Sequence, residues 1–71
     1  MKIFATKEMR LARMRKGYSI VDLARKAEMS RQAVGQVELM KNGVSPANAK
    51  KLADALGTTF ESIFIFKERG E

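Results

Sequence analysis

Residues 19–38, SIVDLARKAEMSRQAVGQVE, constrain the fold more than any other stretch of this sequence. Ser19 is an N-cap candidate, and Asp22 follows at the spacing from which a carboxylate reaches back to the cap's own amide. Leu23, Ala24 and Ala27 then make a narrow apolar face. Ser30 caps a second helix, on which Ala33, Val34 and Val37 face inward and Arg31, Gln32, Gly35 and Gln36 are free to face outward. Between the helices, Lys26 to Met29 has room only for a turn. The small side chains of Ala24 and Ala27 let the two helices cross closely, so this stretch predicts a helix-turn-helix unit.

Around this unit the pattern stays helical. Thr6 is placed to cap a first helix from Lys7 to about Lys16, which turns Met9, Ala12 and Leu11 inward and stops at Gly17. Tyr18, just ahead of the Ser19 cap, can staple the helix entry, donate its hydroxyl to a phosphate, or do both. Asn42-Gly43 marks a turn, but neither flank alternates and no hairpin is predicted there. Ser45-Pro46 is a cap followed by an N1 proline; it opens a helix to about Leu56 with Ala49, Leu52, Ala53 and Leu56 inward and Gly57 as its stop. Thr59 is placed to cap a last short helix carrying Phe60, Ile63 and Phe64, and KIFA at 2–5 reads as an apolar cover over the core. The expected fold class is therefore all-α: one compact five-helix domain over 1–71, with 65–71 as a dimerisation tail. Ile65 and Phe66 end an apolar run too long for so small a domain to bury easily, which makes them candidate dimer-interface residues; the alternative is that Phe66 folds back over KIFA and closes the amino-terminal end of the core.

Composition narrows the function. The 71 residues carry 14 Lys and Arg against 8 Asp and Glu, a net charge of +6 at pH 7, which favours nucleic acid as partner over a lipid surface. Cysteine and histidine are both absent, so disulfides, thiolate or imidazole metal sites and the usual general base go together. No enzyme, metal or cofactor is expected. No stretch approaches the roughly 20 apolar residues that span a bilayer, and MKIFATKEMR is not a signal peptide, so a cytoplasmic protein is expected, on the nucleoid when bound.

These elements together resemble the lambda-repressor and Cro-like helix-turn-helix family of five-helix DNA-binding domains. The resemblance runs from about Lys7 to Phe64 and rests on GYSIVDLARKAEMSRQAV, Glu38 and SPANAKKLADALGTTFESIF. It implies an ion pair between Arg13 and Glu38 that ties the first helix to the third. It also implies base reading from the helix opened by Ser30, by Arg31, Gln32 and Gln36. An arginine fork matches guanine O6 and N7, and a glutamine amide matches adenine N6 and N7. Gly35, inside that helix, either permits close approach to DNA or has no contact role, at a cost of about 1 kcal/mol against alanine. Lys41, Asn42, Tyr18 and the Ser19 end of the second helix resemble backbone-contact positions.

Four positions depart from the family's pattern, the helical Gly35 being one. Ile20 stands where a phosphate-binding glutamine is common, Glu28 where the turn usually has glycine, and Met40 where glycine often follows the recognition helix, so that this helix is expected to end differently or run on toward Gly43. The resemblance implies a sequence-specific regulator of transcription, a phage-type or bacterial repressor acting as a homodimer on double-stranded operator DNA, with an antirepressor protein as a further partner. The alternative is an antitoxin-type module that binds a toxin protein through IFIFKERGE and also its own promoter. Base reading makes one clear forecast. Arg31→Ala and Gln36→Ala should each cost about 1–3 kcal/mol of discrimination while leaving folding intact. Fluorescence titration against cognate and scrambled duplexes checks it, since equal losses on both would place these residues on phosphates.

Overall fold

Hydroxyl caps set the helix starts. The computed structural model describes residues 2–67, in which α1 runs Lys7–Arg15, α2 Ile20–Ala27, α3 Arg31–Glu38, α4 Pro46–Leu56 and α5 Phe60–Ile63. Thr6 Oγ1 accepts from the Glu8 amide, Ser19 Oγ from Asp22, Ser30 Oγ from Ala33 and Ser45 Oγ from Asn48. Each bond satisfies a first-turn amide that has no intrahelical partner. Thr59 holds the N-cap position of α5, but its hydroxyl bonds the Ser62 hydroxyl at 2.6 Å and caps no amide.

The two ends of the described chain are strands, which corrects the all-α expectation: KIFA covers the core as expected but as a strand, and the last helix gives way to a second strand. β1 (Lys2–Ala5) and β2 (Phe64–Lys67) pair antiparallel in the register Lys2↔Lys67, Ile3↔Phe66, Phe4↔Ile65 and Ala5↔Phe64. KIFA is thus a strand, and Phe64 has left the helix, so α5 is a single turn. Alternating β-branched and aromatic residues suit a pleated ribbon with one buried face better than a helix surface. Ile3, Ala5 and Phe64 are buried beneath this ribbon with Phe66 on the same face, while Lys2, Phe4, Ile65 and Lys67 leave the opposite one. The Val44 amide adds a bridge to the Ile3 carbonyl at 2.9 Å, fastening the α3–α4 loop to β1. Thr6 joins the two strand–helix junctions, its amide and hydroxyl both donating to the Ile63 carbonyl at 2.9 and 3.1 Å. The class remains helical, with this small sheet added.

Met9, Leu23, Val34, Leu52 and Ile63 fill the middle of the core. α2 packs on α3 and α4, and α1 packs on α5 and α3. Ala24 and Ala27, both buried, sit where α2 meets its neighbours. One expected inward residue of α1 is placed otherwise, since Leu11 is exposed; Ala12 is half-buried against the core, and Ala33 of α3 is half-buried. α2 runs on through Ala27, so the turn to the Ser30 cap is only Glu28 and Met29.

Two residues with side chains occupy the left-handed region. Glu28 ends α2 at φ 57°, and Met40 follows α3 at φ 62°. Met40 corrects the expectation that α3 ends differently or runs on: the helix stops at Glu38, and the Met40 amide closes on the Val37 carbonyl at 2.9 Å. A glycine-like stop is made without glycine, at a cost of about 1–2 kcal/mol per residue. Met40 is exposed, so little packing offsets that cost. Met40→Gly should therefore stabilise the domain by about 1 kcal/mol and raise Tm by about 4–8 °C, read from a thermal melt by circular dichroism.

Candidate nucleic-acid interface

α3 buries Val34 and Val37 and so fixes what its other side presents. Successive residues are about 100° apart around a helix. Gln32 therefore lies opposite the core, with Arg31 and Gly35 on one flank and Gln36 on the other. Arg31 and Gln32 are exposed; Gly35 and Gln36 are half-buried. A Cβ built on Gly35 meets nothing within 4 Å, so the glycine is not required for packing inside the domain.

Each flank of α3 borders a concavity. On the Gln36 side a cleft of about 490 Å³ runs between α3, the α3–α4 loop and the start of α4, lined by Gln32, Gln36, Asn42, Ser45 and Asn48 among others. Four side-chain amides around one cleft can offer donors and acceptors together. Asn48 was not anticipated from sequence; its signal is its place in the first turn after the Ser45-Pro46 start. Lys41 and Asn42 are exposed in the loop, and of the two only Asn42 lines the cleft. On the Gly35 side a smaller notch of about 270 Å³ lies between α1 and α3, lined by Arg10, Arg13, Ile20, Gly35, Glu38 and Leu39.

The floor of that notch is a charge cluster. Arg13 donates from Nε to Glu38 Oε2 at 2.9 Å and from Nη2 to Oε1 at 2.8 Å, while Nη1 donates to the Tyr18 carbonyl at 2.9 Å. Both side chains are nearly covered, at 13% and 8% exposure. The hydrogen bond to Glu38 holds the Arg13 guanidinium above its ordinary pKa against partial desolvation. One arginine thereby joins α1, the α1–α2 turn and the end of α3. Arg10, a turn earlier, approaches Glu38 Oε1 with its Nε at 3.7 Å and is otherwise exposed.

The entry to α2 is built around Ser19. The Ser19 amide donates to Asp22 Oδ2 at 2.9 Å while its hydroxyl oxygen accepts from the Asp22 amide at 3.1 Å, a reciprocal cap. The Ser19 amide first, and its hydroxyl second, hold the Asp22 carboxyl below its ordinary pKa. A depressed carboxylate stabilises the fold above the unfolded pKa and loses that contribution as pH falls through the folded value. The next two amides, of Ile20 and Val21, precede any intrahelical acceptor. Tyr18 is half-buried against the core, with Lys26 Nζ 5.4 Å from its ring centroid. At the opposite end of the domain, Phe66 stacks on Phe60 at 5.5 Å and remains 57% exposed, whereas Ile65 stands beside Phe4 on the other sheet face. The two therefore do not form one flat patch.

A sequence model of the helix-turn-helix family matches residues 9–63. The fold is similar to the restriction-modification controller protein C.AhdI from Aeromonas hydrophila, at 36% identity and a TM-score of 0.75, over 79% of this chain and 85% of that one. It is also similar to the hypothetical transcription factor NHTF from Neisseria, at 36% identity and a TM-score of 0.73, over 78% of this chain and 63% of that one. No curated protein sequence matches the chain.

Removing Glu38 would leave the covered Arg13 guanidinium without its bidentate partner. Loss of one member of such a pair typically costs about 3–5 kcal/mol. Glu38→Ala should fall near the lower end of that range, because Arg13 keeps the Tyr18 carbonyl and some solvent. A urea titration of the variant beside the parent measures it; a loss below about 1 kcal/mol would make the pair incidental to the fold.

Proposed function

Since the chain belongs to the helix-turn-helix family of DNA-binding transcriptional regulators, which are not enzymes, we propose that it is a sequence-specific repressor that binds a two-fold-symmetric operator as a homodimer. The observation that carries this reading is the outer row of α3. Arg31, Gln32 and Gln36 have no role in the core, differ in their hydrogen-bonding patterns, and stand on a helix anchored by the Arg13–Glu38 fork. A helix about 10–12 Å across suits the major groove, where Arg selects guanine and Gln selects adenine. Lys41, Asn42, Ser19 and Tyr18 are the proposed backbone contacts. No helix of the described residues is long and apolar enough to cross a membrane, in keeping with a cytoplasmic site of action.

Two copies are proposed because one domain of this size offers only about 600–1,000 Å² to DNA. Phe66 supports the interface. With Ile3, Pro46, Ala53 and Phe60 it lines an apolar cleft of about 590 Å³, at whose rim Lys50 and Asp54 pair at 3.2 Å. A rim with both signs of charge is self-complementary across a two-fold axis. Lys2, Ile3, Gly43, Val44 and Pro46 lie together with Phe66, so this surface adjoins the loop that follows α3. An antitoxin would need a tail free for another protein. Through Lys67 that segment is a strand of the domain's own sheet, and residues 68–71 of the expected tail lie outside the described residues.

Selection from a random duplex pool tests the reading: it should enrich two inverted half-sites centred about 34 Å apart. Enrichment of a single asymmetric half-site would remove the homodimer from it. Phe66→Ser should weaken dimerisation by about 2 kcal/mol, near thirtyfold, because each buried aromatic is counted twice across a two-fold axis. Ile65→Ser should weaken it less. Sedimentation equilibrium on variants shown to be folded by circular dichroism separates the two.

A further inference from the structure

A duplex seated on α3 must bring a sugar–phosphate strand along each flank of the helix, because the major groove is about 12 Å wide and the helix nearly fills it. The Gln36 flank has its amide-lined cleft. The Gly35 flank has the notch between α1 and α3, whose more exposed cation is Arg10. We propose that Arg10 is a DNA-phosphate contact, and that Gly35 keeps open the notch through which the strand reaches it. This inference rests on the DNA-binding reading above and assigns a role to a residue outside the row on α3.

Three observations carry it. First, the charges at the notch are Arg10, Arg13 and Glu38, one more positive than negative. Arg13 satisfies the carboxylate with a fork, and its third bond goes to the Tyr18 carbonyl, so it has little left to offer a ligand. Second, the Arg10 side chain is 66% exposed, and its Nε stands 3.7 Å from Glu38 Oε1. Its guanidinium makes no hydrogen bond to the described residues and keeps only this long ion pair. Such a guanidinium can meet a phosphate in two-point fashion. Third, the remaining wall is Ile20, Gly35 and Leu39, which offers apolar surface suited to a deoxyribose and no competing carboxylate. A methyl group at Gly35, which lines the notch, would meet nothing inside the protein, so internal packing does not require glycine there.

The test compares Arg10→Ala, Arg10→Lys and Lys16→Ala with the parent. Lys16 is the charge control, since its Nζ lies beside Gly57 at the end of α4 remote from the amide cleft. Binding is titrated against a mixed-sequence duplex and against the sequence the parent enriches from a random pool, over a tenfold range of salt, with folding checked by circular dichroism. One phosphate contact contributes a slope near −0.9 on the logarithmic plot. Arg10→Ala should therefore lower the slope by about one unit on both duplexes, its deficit growing about eightfold as salt falls tenfold. Arg10→Lys should restore the slope, and Lys16→Ala should change it less. Gly35→Ala should stay folded, bind more weakly, and make the further change Arg10→Ala nearly silent. Parental slope in a folded Arg10→Ala variant, or a loss equal to that of Lys16→Ala, would overturn the proposal and leave the DNA-binding reading standing. A parent that binds neither duplex in a salt-dependent way would overturn both.

Discussion

The geometry of the domain depends on one guanidinium. Arg13 spends all three of its nitrogens on acceptors from other elements: two on the carboxylate that ends α3, and one on the carbonyl of the turn that feeds α2. A lysine in its place could supply charge but not three fixed directions. Hydrophobic contact alone is tolerant of small sliding between helices, whereas a planar fork is not. The pair's net contribution to stability is limited by desolvation, so its larger effect is on position. It sets how far α3 stands out from α1, and hence how the row of Arg31, Gln32 and Gln36 meets a partner.

The parts of this structure that could be read in the sequence are those whose causes are local. Ser19, Ser30 and Ser45 each satisfy an amide three residues away, so their helices announce themselves within one turn of chain. Pro46 and Gly57 bracket α4 for reasons equally local. The sheet is different. Nothing near KIFA or FIFK shows that they pair, because the partner of Lys2 is Lys67. The one available hint was the alternation in Ile63-Phe64-Ile65-Phe66, which a helical assignment treats as surplus apolar surface. Tertiary structure also overruled local preference at Glu28 and Met40, where the packing of α2 and α3 holds left-handed backbone that their side chains disfavour.

The candidate interface divides along the same line. The outer row of α3 follows from the helical period once Val34 and Val37 are assigned to the core. Arg10 and Asn48 do not follow from it, because their relevance comes from being across a concavity from α3. A residue on another element joins a surface only through packing. Gly35 is legible only in part in the same way: a helical glycine in a sequence can serve a close internal crossing, and the empty space around its Cβ position removes that reading.

The antiparallel ribbon has a consequence for the order in which the molecule assembles. Its strands are nearly the full chain apart, and closing so long a loop is unfavourable until the helices between have already brought its ends together. The ribbon therefore depends on the helices between its strands, and in return it contributes Ile3, Ala5 and Phe64 to their core. Phe66 is fixed against Phe60, and Val44 against Ile3, only while the ribbon is closed. The pairing of the two strands therefore bears on two surfaces at once, the apolar cleft beside Pro46 and the loop that carries Asn42 into the amide cleft.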